Sequence, residues 1–118
     1  MTYSIVRVTT LIGAHRYGNT DSDIAFLLTD SRSLCFPEET LFFALKSERN
    51  DGFRYIPELY RRGVRNFVVS AVPDDYATAY PDANFLKVES PLIALQRLAE
   101  RHREEFDIPV VGITGSNG

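Results

Sequence analysis

The chain has 118 residues, 44% of them hydrophobic and 25% charged, which fits one globular domain with one core. A formal net charge of −3 argues against a broad nucleic-acid or anionic-membrane surface, and no apolar run approaches the ~20 residues that span a bilayer. The single cysteine, Cys35, rules out an intrachain disulfide framework and favours a reducing, cytoplasmic compartment; the opening "MTYSIVRVTT" lacks the basic region and apolar core of a signal peptide.

In chain order, the spacing of Ile5, Val8, Leu11 and Ile12 predicts a helix over residues 4–13, closed by Gly13. "HRYGNTDSD" reads as loop. "IAFLLT" (24–29) and "LFFAL" (41–45) are continuous apolar runs, as expected of buried strands, and "DSRSLCFPEET" is the turn-rich connection between them. "KSERNDG" (46–52) is a polar loop. A helix within "FRYIPELYRRG" turns Ile56, Leu59 and Tyr60 inward, starts near Pro57 and closes at Gly63. "VRNFVVS" (64–70) is a strand, "PDDYATAYPDA" a short helical turn, and "NFLKVE" a further short strand.

The clearest helix begins at Ser90-Pro91, a cap followed by proline at the first helical position. Its expected inner stripe is Leu92, Leu95, Ala99, His102 and Phe106. "DIP" (107–109) breaks it, and "VVGIT" (110–114) is a strand assigned to a second domain. Alternating strands and helices after residue 40 indicate an α/β fold, a small mixed sheet flanked by helices.

The last residues, G-I-T-G-S-N-G (112–118), follow a β-branched run and space three glycines three apart. Glycines let backbone N–H groups close on an anion, and a following helix adds its positive end. Ile113 occupies the first glycine position of the strict phosphate-loop pattern, and the dinucleotide pattern fails too. A plain Gly-Ser-Asn turn accounts for the same residues.

Read with two upstream stretches, this loop resembles that of the Mur ligases, G-x-T-G-[ST]-[NK]-G-K-[ST]. Residues 29–56, "TDSRSLCFPEETLFFALKSERNDGFRYI", resemble the family's D-S-R, proline turn, L-F-[FV]-A-[LI] and K-G-x-x-x-D-G-H run. "RRGVRNFVV" resembles the strand that follows. The resemblance covers most of residues 24–118, in order. It implies a UDP-binding domain over residues 1–107, then the first strand and truncated phosphate loop of an ATP-binding central domain over 108–118. The phrasing is nearest to the members that add D-alanyl-D-alanine, including forms fused to an alanine racemase, which would bring PLP. Folate-polyglutamate ligases share a similar loop but lack the D-S-R domain. A non-enzymatic α/β interaction module is the other alternative.

The resemblance implies an ATP- and Mg²⁺-dependent amide ligase of peptidoglycan precursor synthesis, working through an acyl phosphate on a UDP-MurNAc peptide, with central and C-terminal domains as partners and neither nucleic acid nor membrane. The UDP would be bound by Ser31, Arg32, Lys46, Ser47, Arg49, Asp51 and Gly52, and the ATP phosphates by Thr114, Gly115, Ser116, Asn117 and Gly118. Arg supplies a planar fork for phosphate and Lys a point charge. If the strands before these loops are neighbours, the groups converge. Without the resemblance, solvated loop charges, or Arg32 paired with Asp30 or Asp51, are the better account of them. Two positions depart from the family: Ser47 replaces a glycine, and Phe53 replaces a histidine, substituting stacking or packing for a polar group. No catalytic residue and no metal ligand set is assigned within 1–118, so this stretch by itself is expected to be inactive.

The remaining candidates are structural. Cys35, beside Phe36-Pro37, reads as packed, and His102 as a core or boundary histidine. Arg61, Arg62 and Arg65 form either a small basic patch or a solvated helix end.

Overall fold

In a computed structural model, residues 3–30, 34–46, 51–105 and 110–111 are described, with the backbone alone for 101–105 and 110–111. Strands β1 (Tyr3–Ser4), β2 (His15–Tyr17), β3 (Asp23–Ile24), β4 (Phe26–Leu28), β5 (Thr40–Phe43), β6 (Asn66–Val69), β7 (Asn84–Lys87) and β8 (Val110–Val111) alternate with helices α1 (Ile5–Leu11), α2 (Ile56–Arg61), α3 (Tyr76–Ala79) and α4 (Pro91–Glu105). The main sheet has six strands in the order β2-β7-β6-β5-β4-β8. All its neighbours run parallel except β2, which is antiparallel to β7. β1 and β3 form a separate antiparallel pair. The expected small mixed sheet with flanking helices is what forms.

The inner strands are mostly apolar because both faces of the sheet are covered, with Thr40, Asn66 and Asn84 as buried polar residues at their starts. Successive side chains point to opposite faces. Leu27, Leu41, Phe43, Val68 and Leu86 join Ile5, Val8 and Ile12 of the α1 region and Ala94, Leu95 and Leu98 of α4 in one core cluster. Leu28, Phe42, Ala44, Phe67, Val69 and Phe85 join Ile56 and Leu59 of α2 in the other, with Tyr76 and Tyr80 packed against it. α1 is capped by the Ser4 hydroxyl, which accepts from Arg7 N–H at 3.2 Å, and the chain leaves it through Gly13 at φ 65. The Ser90 hydroxyl accepts from Ile93 N–H at 3.3 Å at the start of α4.

Three expectations are corrected. Residues 15–17 and Asp23 are in strands rather than loop, and the run expected over 24–29 divides into β3 and β4; long-range partners decide the first, since Tyr17 packs edge-on against Tyr76 and the Arg16 guanidinium donates to Asn84 Oδ1 at 3.2 Å. The inner stripe of α4 is Ala94, Leu95 and Leu98, and Leu92 is 50% exposed. The small Ala94, rather than the larger Leu92, faces the sheet. Cys35 is exposed rather than packed, as is Phe36, whose ring stacks on Phe26 at 5.2 Å. Val110 and Val111 pair with Leu27 and Leu28 on the sheet edge; the boundary expected near residue 107 lies outside the described residues.

Candidate functional site

Parallel order places the carboxyl ends of β4, β5, β6, β7 and β8 on one edge of the sheet, and antiparallel pairing brings the start of β2 to the same edge. Open α/β sheets bind ligands at that edge. β4 and β5 are direct neighbours, with Leu28 opposite Phe42. The segments that follow them, beginning at Thr29 and Ala44, therefore leave the sheet side by side.

The base of that loop is tightly built. Lys46 and Asp51 form an isolated antiparallel bridge, and Gly52 N–H donates to Leu45 C=O at 2.7 Å. Asp51 Oδ1 accepts from Phe53 N–H at 3.1 Å, capping the 3-10 turn Gly52–Tyr55 that leads into α2. Gly52 is buried, and a Cβ there would lie 2.9 Å from both Leu45 N and Leu45 O. Glycine is required by this close backbone approach. Lys46 is exposed and projects from the edge, whereas Asp51 serves the turn. Phe53 is half-buried and packs against the second core cluster, so packing is the role it fills.

Of the predicted site residues, Lys46, Asp51 and Gly52 are thus brought together. Ser31, Arg32, Ser47, Arg49 and Thr114 to Gly118 lie outside the described residues. Among the described residues, no group of three or more His, Cys, Asp or Glu side chains is placed to hold a metal ion. Also among them, no helix is long and apolar enough to cross a membrane. Arg65 is not part of a basic patch: its guanidinium lies 4.2 Å from the Tyr60 ring and donates to the carbonyls of Tyr60 and Val64 at 2.8 and 3.1 Å. It closes the end of α2.

Sequence reasoning missed two features. One is a polar network at the opposite, amino-terminal end of the strands. There Asn84 Nδ2 donates to Asn66 Oδ1 at 2.9 Å and to Thr20 C=O at 2.8 Å, while Arg16 donates to Asn84 Oδ1 and to Thr20 C=O. The matching "N-F" at the start of two strands, Asn66-Phe67 and Asn84-Phe85, was the available signal. The other is a recess at the carboxyl edge, lined by Gly13, Ala14, His15, Ser70, Lys87, Val88 and Glu89. Its residues come from three segments, and only the strand order unites them.

No protein-family model matches the chain. Curated relatives do. The "UDP-N-acetylmuramoyl-tripeptide--D-alanyl-D-alanine ligase" of Bacillus subtilis is 37% identical over 92 residues, spanning 76% of this chain and 19% of the relative. The Haemophilus influenzae protein of the same name is 30% identical over 115 residues, 98% of this chain and 24% of the relative. The "UDP-N-acetylmuramoyl-L-alanyl-D-glutamate--2,6-diaminopimelate ligase" of Caldanaerobacter subterraneus is 30% identical over 103 residues, 86% of this chain and 20% of the relative. The chain therefore spans about a fifth of the length of the curated relatives it matches. Among solved structures, MurF from Acinetobacter baumannii superposes with a TM-score of 0.70 at 23% identity, over 89% of this chain and 22% of that one. That likeness establishes the fold. None of these names includes a racemase, so the fused form and its PLP gain no support from them.

Proposed function

We propose, on the premise that this chain is related to the Mur ligases over about a fifth of their length, that it binds the uridine diphosphate end of a UDP-N-acetylmuramoyl peptide. The whole protein would be an ATP-dependent amide ligase of peptidoglycan precursor synthesis, acting in the cytoplasm, that adds D-alanyl-D-alanine through an acyl phosphate. The observation that supports the reading is the parallel pairing of β4 with β5, so that Thr29 and Ala44 follow neighbouring strands at one edge. Lys46 stands exposed there on a base fixed by Asp51 and Gly52.

In this reading Lys46 and Arg49 neutralise the diphosphate, Arg32 adds a planar two-pronged donor, and Ser31 and Ser47 offer hydroxyls. Asp51 and Gly52 set the loop base and the close approach of its backbone. Binding so far from the reacting carboxylate contributes orientation rather than chemistry. ATP with Mg²⁺, when bound, supplies the activation of that carboxylate. Thr114, Gly115, Ser116, Asn117 and Gly118 would face its phosphates through their backbone N–H groups. We assign 1–107 to UDP binding and 108–118 to the lead into the central domain; β8, within the second stretch, pairs with β4 at the sheet edge.

A thermal-shift titration with UDP, UDP-MurNAc-tripeptide and ATP-Mg²⁺ as separate ligands tests this. At about 100 times Kd, a ligand adds ~2.7 kcal/mol of stability. A rise with both UDP ligands, lost in Arg32→Ala, is the expected result. A rise with ATP alone would overturn the reading.

A further inference from the structure

Phe36 is the most exposed large hydrophobic side chain among the described residues, at 58%, and it is held outward rather than left loose. Its carbonyl accepts from the Thr40 hydroxyl at 2.7 Å and from Glu39 N–H at 3.1 Å, and its ring stacks on Phe26 at 5.2 Å and 15°. These contacts fix it at the amino-terminal end of β4 and β5, opposite to the proposed nucleotide edge. A large ring already fixed in water loses little entropy when it docks, and aromatic anchors of this kind dominate the energy of interfaces. The proposed function makes no use of it.

Charges of both signs accompany the ring. Glu38 and Glu39 follow it in the 3-10 turn Pro37–Glu39, and Arg61 is the last residue of α2. The two elements meet at Pro37: a Cβ on Gly63, two residues beyond Arg61, would lie 3.2 Å from it. Glu38, Glu39 and Arg61 are exposed. Among the described residues, no side-chain hydrogen bond or ion pair engages any of the three. A patch that carries an aromatic anchor together with unpaired acids and an unpaired base is complementary to itself, because a twofold axis sets the acids of one copy against the base of the other. A partner with a single sign of charge would leave the other sign unmatched. The patch therefore fits a second copy of this chain.

We infer that Phe36 is the centre of a twofold contact between two copies of this chain, ring against ring, with Glu38 and Glu39 of each copy facing Arg61 of the partner subunit. The contact stands apart from the diphosphate reading, since it lies at the other end of the strands from Lys46. One ring and its flanking charges make an interface well under the ~1,200 Å² of stable complexes, so the dimer is weak. Sedimentation velocity in reducing buffer, from about 10 μM to about 1 mM, spans the affinities that such contacts reach. The average mass should rise with concentration from one chain toward two. Phe36→Ser should weaken the association about tenfold or more. Arg61→Glu should weaken it as well by setting like charges against each other, and adding Glu38→Lys and Glu39→Lys to that variant should restore it. Cys35, exposed and next to Phe36, gives a second readout: copper-catalysed oxidation should link the parent chain into a covalent dimer faster than it links Phe36→Ser. A chain that stays monomeric at every concentration would overturn the inference and leave the patch to a different partner. So would association that survives Phe36→Ser, charge reversals that fail to compensate, or cross-linking at equal rates.

Discussion

Asn84 Nδ2 donates to Asn66 Oδ1 at 2.9 Å, joining the first residues of β6 and β7 inside the protein, where both asparagines are fully buried. Each amide lies beside an aromatic strand residue in sequence and takes a place that an apolar side chain would otherwise fill. Asn84 also accepts from Arg16 and donates to Thr20 C=O, so one side chain ties β2, its following loop, β6 and β7 together.

Replacing Asn84 with alanine should therefore cost more than a single hydrogen bond. It leaves Asn66 Oδ1 and Arg16 Nε without this partner, and a buried group left unsatisfied costs about 1–3 kcal/mol. Urea denaturation should show a lower midpoint at unchanged m. Asn84→Ala and Asn66→Ala should be non-additive, because each removes the same bond. Additive losses would show that the two amides act independently.

Phe67 is the centre of the second core cluster. Its ring stacks on Phe85 at 5.3 Å and 18° and meets Phe42 edge-on at 6.4 Å, with no exposure. Phe67→Ala should destabilise by about 3–5 kcal/mol, since both faces of the cavity are lined by strands that move little. Phe67→Leu keeps most of the volume and should cost less than half as much. A loss below about 1 kcal/mol for the alanine variant would mean that Phe42 and Phe85 close the gap.

The strands that carry these residues were legible because burial on both faces makes their centres apolar: 41–45 and the Phe67-Val68-Val69 run within 64–70 could be read from composition. His15-Arg16-Tyr17 could not. Its residues are polar or half-buried, and the strand exists through Asn84 and Tyr76, more than fifty residues away in sequence. The same limit applies to the edge of the sheet. Lys46, Asp51 and Gly52 were found through a contiguous motif, whereas Ser70, Lys87 and His15 are neighbours only after the strand order is known. On α4, helical spacing found Leu95 but exchanged Leu92 for Ala94, because periodicity fixes the angle between residues and not which stripe turns inward.

Tyr80 gives the molecule an alkaline sensitivity. Burial, and then the nearby Asp75 carboxylate, push its hydroxyl above the ordinary tyrosine range. Between the ordinary and the raised value, the folded chain keeps a proton that the unfolded chain has lost. Stability therefore falls as pH rises through that window. Urea midpoints measured from about pH 9 to about pH 11 should fall less steeply for Tyr80→Phe than for the parent chain. The ring contacts with Tyr60 and Phe85, at 5.0 and 5.5 Å, survive in phenylalanine, so the variant should match the parent near neutrality. Equal alkaline slopes would assign the effect to other tyrosines.

Gly52 connects stability to the proposed ligand site. A methyl group there meets backbone atoms of Leu45 at 2.9 Å, and backbone cannot rotate out of the way as a side chain would. Gly52→Ala must either push the loop off β5 or break the 2.7 Å bond from Gly52 N–H to Leu45 C=O. Overpacking of this kind costs about 1–3 kcal/mol. The control is Gly63→Ala at the end of α2, whose Cβ would meet Pro37 at 3.2 Å and carry the strain of φ +112. Gly52→Ala should lose stability and UDP affinity together, because Lys46 is carried by the displaced segment. Gly63→Ala should lose stability with UDP affinity intact. If Gly52→Ala bound UDP as the parent does, the base of the 46–52 loop would not position the diphosphate, and Lys46 would have to be removed from the proposed site.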